Sequence, residues 1–102
     1  MAAQNPEILA RKRQASSDAA YIAWRARYYS VLDSPEWRFR ASRVLEREDH
    51  ICQACRERPA TQVHHTPEAY KYLGNEPLYL LIALCVQCHR QITAADRASR
   101  SA

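Results

Sequence analysis

Two cysteine pairs of identical spacing, Cys52-x-x-Cys55 and Cys85-x-x-Cys88, constrain this chain more than any other feature. Two residues between the cysteines of a pair let both thiolates point at one ion. Two such pairs supply the four-sulfur tetrahedral shell that suits Zn²⁺. The competing readings are two disulfides, four free buried thiols or an iron–sulfur cluster. A redox dithiol needs only one pair and accounts for half the pattern. The opening MAAQNPEILARKRQ lacks the apolar centre of a secretory signal. No stretch is long and apolar enough to span a bilayer. The expectation is a chain without a membrane segment, in a reducing compartment, where cysteine pairs hold metal.

A zinc on these cysteines joins the end of one helix to the start of another and encloses the segment between them. The chain has 102 residues, one small domain with a modest core. In such a domain a metal contributes folding free energy that the core alone lacks. The single glycine, Gly74, argues against a loop-rich barrel or sandwich. A net charge of +4 permits a polyanionic partner without establishing one.

Residues 1–17 read as a basic N-terminal tail, either flexible or a frayed helix, with Arg11, Lys12 and Arg13 as a short solvated run. Residues 18–50 read as a helical segment packed on the core. Its first helix is capped by Ser17 or Asp18 and carries Tyr21, Trp24, Arg25, Tyr28 and Leu32 at helical spacing. Its second begins at SPEW, with Ser34 as N-cap, Pro35 at the first helical position and Glu36 in the first turn. Trp37, Ala41, Val44, Leu45 and Glu48 gather on one side of this helix. Arg40, Arg43 and Arg47 form an adjacent stripe, which either meets phosphates or is a solvated face paired with Glu36 and Glu46.

Residues 51–102 complete a single domain. TQVHH has strand character, TPEAYKYLGNEP reads as a loop with one helical turn, LYLLIAL as a buried strand or extended run, and CVQCHRQITAADRAS as a helix. Of the histidines, His50 reads as solvated or capping. His64 and His65 are adjacent, and strand side chains alternate faces, so they divide between two directions. His89 directly follows Cys88, so a zinc would hold it in a fixed place near the HH pair. One of the pair then binds a divalent cation with His89, and the other acts as a base. The alternative is two loop histidines with no shared role.

The run of CxxC, VHH, a Tyr–Leu–Gly–Asn–Glu loop and LCxxCH resembles the zinc-containing HNH endonucleases. The SPEW helix is similar to that of small phage and prophage members, and the resemblance spans about residues 28–93. It implies a small α+β fold, the ββα-metal finger, preceded by one or two helices and stapled by a structural Zn²⁺ on Cys52, Cys55, Cys85 and Cys88. His64 is then the first ligand of a catalytic Mg²⁺, Mn²⁺, Ni²⁺ or Zn²⁺, His89 the second, and His65 the general base. The implied activity is metal-dependent hydrolysis of phosphodiester bonds in double-stranded DNA, by nicking or cleavage, leaving 5′-phosphate and 3′-hydroxyl ends. Arg40, Arg43, Arg47, Lys71 and Arg90 are the candidate DNA contacts, and the phage packaging terminase is an implied partner.

One position departs from the motif. The middle asparagine should stand nine residues before His89, where this chain has Leu80. Asn75 lies five residues earlier, in the loop. Leucine cannot hydrogen-bond, and loose positioning is costly in catalysis. This leaves a second reading, a zinc-stabilised DNA-binding or packaging module with weakened or lost nuclease activity. On this second reading, Leu80→Asn should raise activity if the fold tolerates a polar side chain there.

Overall fold

The structure, a computed structural model, describes residues 5–101 apart from the side chains at 12, 13, 15, 16, 100 and 101. The first four residues, and the Lys12 and Arg13 side chains of the basic run, lie outside the described residues.

The first helix, α1, spans Pro6–Leu32. It starts at Pro6 rather than at Ser17 or Asp18, so the expected boundary after residue 17 falls inside it. The reason is a stronger start signal upstream. The Asn5 side chain accepts from the Glu7 amide at 2.8 Å, Pro6 takes the first helical position, and Glu7 lies in the first turn. The following Ala, Arg, Lys and Gln residues are good helix formers, and nothing between them breaks the helix. The outer part of α1 has no sustained apolar face, and Tyr21, Ile22 and Trp24 are exposed. Only near its end does it join the core, through Val31 and Leu32.

The second helix, α2, spans Pro35–Arg47, and the SPEW signal operates as expected. Ser34 Oγ accepts from the Trp37 amide at 3.1 Å and donates to the Val31 carbonyl at 2.6 Å. One hydroxyl thus ends α1 and starts α2. Trp37 and Val44 are buried, with Ala41 and Leu45 packed beside them. Glu48 does not join this apolar face; it caps α2 and pairs with Arg47 and Arg56.

Strand β1, Gln62–His65, pairs antiparallel with β2, Leu81–Leu84, in the register Gln62↔Leu84 to His65↔Leu81. The loop between them holds a 3₁₀ helix over Pro67–Tyr72 and a 3₁₀ turn over Leu78–Leu80. The LYLLIAL run is therefore extended only in its second half. The Leu80 amide bonds the Pro77 carbonyl at 3.0 Å, which folds the first half back on itself. Helix α3, Val86–Ser101, follows β2 directly. The succession β1, β2, α3 is the ββα unit.

Gln53 closes the other edge of β2. Its backbone N–H donates to the Ala83 carbonyl at 2.9 Å, and its side-chain Oε1 accepts from the Ala83 amide at 2.7 Å. The backbone and side chain of one residue together take the place of a third strand. The core has two parts. One gathers Trp37, Val44, Ala60, Ala69, Leu80, Leu81 and Ala83; the other is built from Cys52, Leu84, Cys85 and Cys88 with Ile82 and Ile92 around them. Among the described residues, no helix is long and apolar enough to cross a membrane.

Candidate metal centres and active site

The two knuckles meet. The ligand atoms of Cys52, Cys55, Cys85 and Cys88 all lie within 4.8 Å of one another, and no disulfide joins them. Four sulfurs about 2.3 Å from a tetrahedral Zn²⁺ stand about 3.8 Å apart, so this cluster fits such an ion. Local geometry builds each knuckle. The Arg56 amide bonds the Cys52 carbonyl at 2.9 Å, and Arg56 takes the left-handed conformation that turns the chain back. On the other side, the Cys88 amide points at Cys85 Sγ, 3.4 Å away. Arg58 donates to Cys85 Sγ at 3.3 Å and to Cys88 Sγ at 3.6 Å, and holds the Cys85 thiol below its ordinary value. A guanidinium here would offset the negative charge of four thiolates around a dication.

His64 and His65 follow the strand rule and face opposite ways, both buried. His64 faces α3. Its Nε2 lies 3.0 Å from Asp96 Oδ2, and its ring meets that of His89 edge-on with centroids 5.2 Å apart. His89 sits in the first turn of α3, where Cys88 places it. Burial, and then the neighbouring His64, hold its imidazole below the usual value. The structure therefore brings His64 and His89 together.

His65 faces the other way, into an aromatic box. Trp37 stacks on one side with centroids 4.5 Å apart, and Tyr70 stacks at 5.3 Å. Tyr28 of α1 meets it edge-on at 5.6 Å. Its Nε2 lies 2.6 Å from Glu76 Oε2. Glu76 is itself 2 % exposed and accepts from the Gly74 amide at 3.1 Å. Burial pushes the His65 imidazole below its ordinary value, with Glu76 opposing that in part, so the ring is neutral at pH 7. With Nε2–H donating to the Glu76 carboxylate, the ring's lone pair falls on Nδ1. Glu76 escaped the sequence reading because its pairing spans eleven residues of irregular loop. A glutamate in a loop carries no local mark of burial.

Both histidines line one cavity of about 1040 Å³, between α1, the sheet and α3. Of the five basic residues expected to contact DNA, Arg40 bonds Asn75 Oδ1 at 2.9 Å, and Arg43 lies over the Phe39 ring. Arg47, though exposed, is engaged within the chain, bonding the Leu78 and Leu81 carbonyls at 3.0 Å each and Gln53 Oε1 at 3.1 Å. Lys71 and Arg90 are exposed. None of the five lines the cavity; the arginines that do are Arg25 and Arg97.

Leu80 is buried in the core, and its side chain packs as the apolar run suggested. The loop is tied through its backbone instead. The Leu80 carbonyl accepts from Thr66 Oγ1 at 2.8 Å and from the Thr66 amide at 3.2 Å. Asn75 does not take over, since its side chain serves Arg40. This reverses the expectation for Leu80→Asn. An amide placed in that apolar pocket loses packing and gains no evident partner, so the variant should lose about 2–4 kcal/mol of stability. A folded Leu80→Asn protein that melts with the wild type and has raised activity would show that the pocket welcomes asparagine.

No family model and no curated protein matches this chain. Among solved structures, it is similar to an HNH endonuclease of the deep-sea thermophilic bacteriophage GVE2, crystallised with a manganese ion. The likeness has a TM-score of 0.57 and 26% sequence identity, and covers 94% of this chain and 98% of that one. Motif and structure thus lead to the same place: the protein has the fold of the phage HNH endonucleases that its sequence resembles.

Proposed function

We propose that the protein is a metal-dependent DNA endonuclease or nickase, with His65 as general base and His64 and His89 as ligands of a divalent cation. One observation carries this reading. His64, His65 and His89 line a single cavity, with His65 oriented by a buried carboxylate. The likeness to a phage HNH endonuclease supports it. His64 and His89 would hold a cation, which would supply Lewis-acid stabilisation of charge on the scissile phosphate. His65 takes the proton of the attacking water on Nδ1, while Glu76 holds Nε2–H and steadies the imidazolium that results. Trp37 and Tyr70 fix the plane of the ring, so the lone pair has one direction. The substrate in this reading is double-stranded DNA in a bacterial or phage-infected host cytoplasm, with the packaging terminase as a partner.

The test is conversion of supercoiled plasmid to open-circular or linear forms with Mg²⁺, Mn²⁺, Ni²⁺ or Zn²⁺. No conversion with any of the four removes the reading. The second reading, a DNA-binding or packaging module with degenerate chemistry, draws on the 2 % exposure of His65 behind Tyr28 and on Leu80 at the motif's middle position. It predicts salt-dependent duplex binding without cutting.

Glu76 separates the two further. Glu76→Ala leaves the His65 Nε2–H buried without an acceptor, at a cost of about 1–3 kcal/mol. It also frees the ring to turn, which should lower cleavage about 10²-fold, the scale of a misplaced catalytic group. Glu76→Gln keeps an acceptor and should retain more of both stability and rate. Equal cleavage by wild type and Glu76→Ala would show that the pairing only supports the fold.

A further inference from the structure

We propose that Asp96 is the third protein ligand of the cation on His64 and His89, making a two-histidine, one-carboxylate centre between β1 and α3. The inference rests on the reading of His64 and His89 as ligands, and extends it to a residue seven positions beyond His89.

The first support is position. His89, Thr93 and Asp96 stand at i, i+4 and i+7 along α3, one face of a helix. All three line the cavity with His64. The second is distance. Asp96 Oδ2 and His64 Nε2 lie 3.0 Å apart. Two ligand atoms about 2.1 Å from one ion, at right angles, stand about 3.0 Å from each other. The separation that reads as a hydrogen bond is also that of neighbouring ligands on a shared cation. The imidazole pair is near rather than preformed, since among the described residues only the four cysteines have ligand atoms all within 4.8 Å of one another. Rings bound through nitrogen hold their centroids about 3.2 Å from the ion, so two rings at 90–110° are separated by about 4.5–5.3 Å. The His64 and His89 centroids are 5.2 Å apart, with the rings at 72°.

The third support is an unmet need. Thr93 Oγ1 is buried without a hydrogen-bond partner, alone in this among the side-chain nitrogens and oxygens of the described residues. It lies on the same face of α3, one turn from His89 and one from Asp96. A water on the cation would satisfy it. Asp96 borders the cavity, where its side chain keeps 25% of its exposure. Two imidazoles and a carboxylate suit Mn²⁺ and related divalent ions, with sites left for water and phosphate oxygen.

The alternative role for Asp96 is a hydrogen-bond partner that orients His64 and touches no metal. Asp96→Asn separates the two, because an amide oxygen still accepts from Nε2–H but is a poor ligand. The experiment is Mn²⁺ titration of the zinc-loaded full chain, followed by electron paramagnetic resonance of free Mn²⁺ and by calorimetry. Wild type should bind one Mn²⁺ beyond its zinc. Asp96→Asn should bind at least about tenfold more weakly, with unchanged melting and zinc content. Should Asp96→Asn melt early, Asp96→Ser makes the same comparison. Undiminished Mn²⁺ affinity in Asp96→Asn, with binding lost in His89→Ala, overturns the role of Asp96 and leaves the two histidines as ligands. Absence of Mn²⁺ binding by wild type overturns both.

Discussion

Replacing His65 with glutamine is expected to lower DNA cleavage by about 10²–10⁴-fold while leaving the fold and both metal sites in place. The choice of glutamine follows from the surroundings. His65→Ala would strand Glu76, 2 % exposed, without its partner. An unpaired buried carboxylate costs about 3–5 kcal/mol, enough to confuse lost chemistry with lost structure. Glutamine places an amide N–H where Nε2–H stands and can still donate to Glu76. What it lacks is the second, basic nitrogen. Cleavage is read on supercoiled plasmid, and folding by the melting midpoint. Wild-type rates in a folded His65→Gln protein would show that the base lies elsewhere. Equal melting with a rate lowered on this scale would place the proton transfer on the ring itself, because the orienting contact survives.

What could be read in the sequence, and what could not, divides along the range of the interaction. The knuckles, the SPEW cap and the alternation of His64 and His65 are set within a few residues of each position. Spacing and local chemistry were enough to expect them. Asn5, Pro6 and Glu7 carried a helix start of the same kind, but the segment after them has no apolar period. Periodicity, the stronger guide elsewhere, pointed to a later start. The partners of the histidines are another matter. Glu76 meets His65 across eleven residues, Asp96 meets His64 across thirty-two, and Thr66 holds Leu80 across fourteen. None of these pairings leaves a pattern in the chain. Arg47 is similar. In sequence it completes an arginine stripe, yet in the fold it bonds two carbonyls around β2. A long flexible cation at a helix end serves backbone carbonyls as readily as phosphates.

Removing the metal from the four cysteines should have the larger effect on structure. Cys85 stands at the junction of β2 and α3, and Cys52 follows the turn that ends α2. Both are buried in a core part that contains few other large side chains. Without an ion, four sulfurs within 4.8 Å of one another have no bond between them. The knuckles are then left to a few backbone hydrogen bonds. Structural zinc supplies about 10–16 kcal/mol in small domains, comparable with the whole of a typical domain's stability of about 5–15 kcal/mol. Cys85→Ser, or exhaustive chelation, should therefore abolish the cooperative melting transition of the region after α2. Zinc content should fall from about one per chain to near none, the four-sulfur stoichiometry of such a site. His64→Ala and His65→Gln should leave zinc content unchanged, since neither residue belongs to the cluster. Because Cys88 immediately precedes His89, loss of zinc should also release His89 from its place beside His64. Mn²⁺ binding should then disappear together with zinc, although no cysteine touches the second ion. A chelated protein that melts as before and still binds Mn²⁺ would show that the sheet and α3 hold their arrangement without the four-sulfur site.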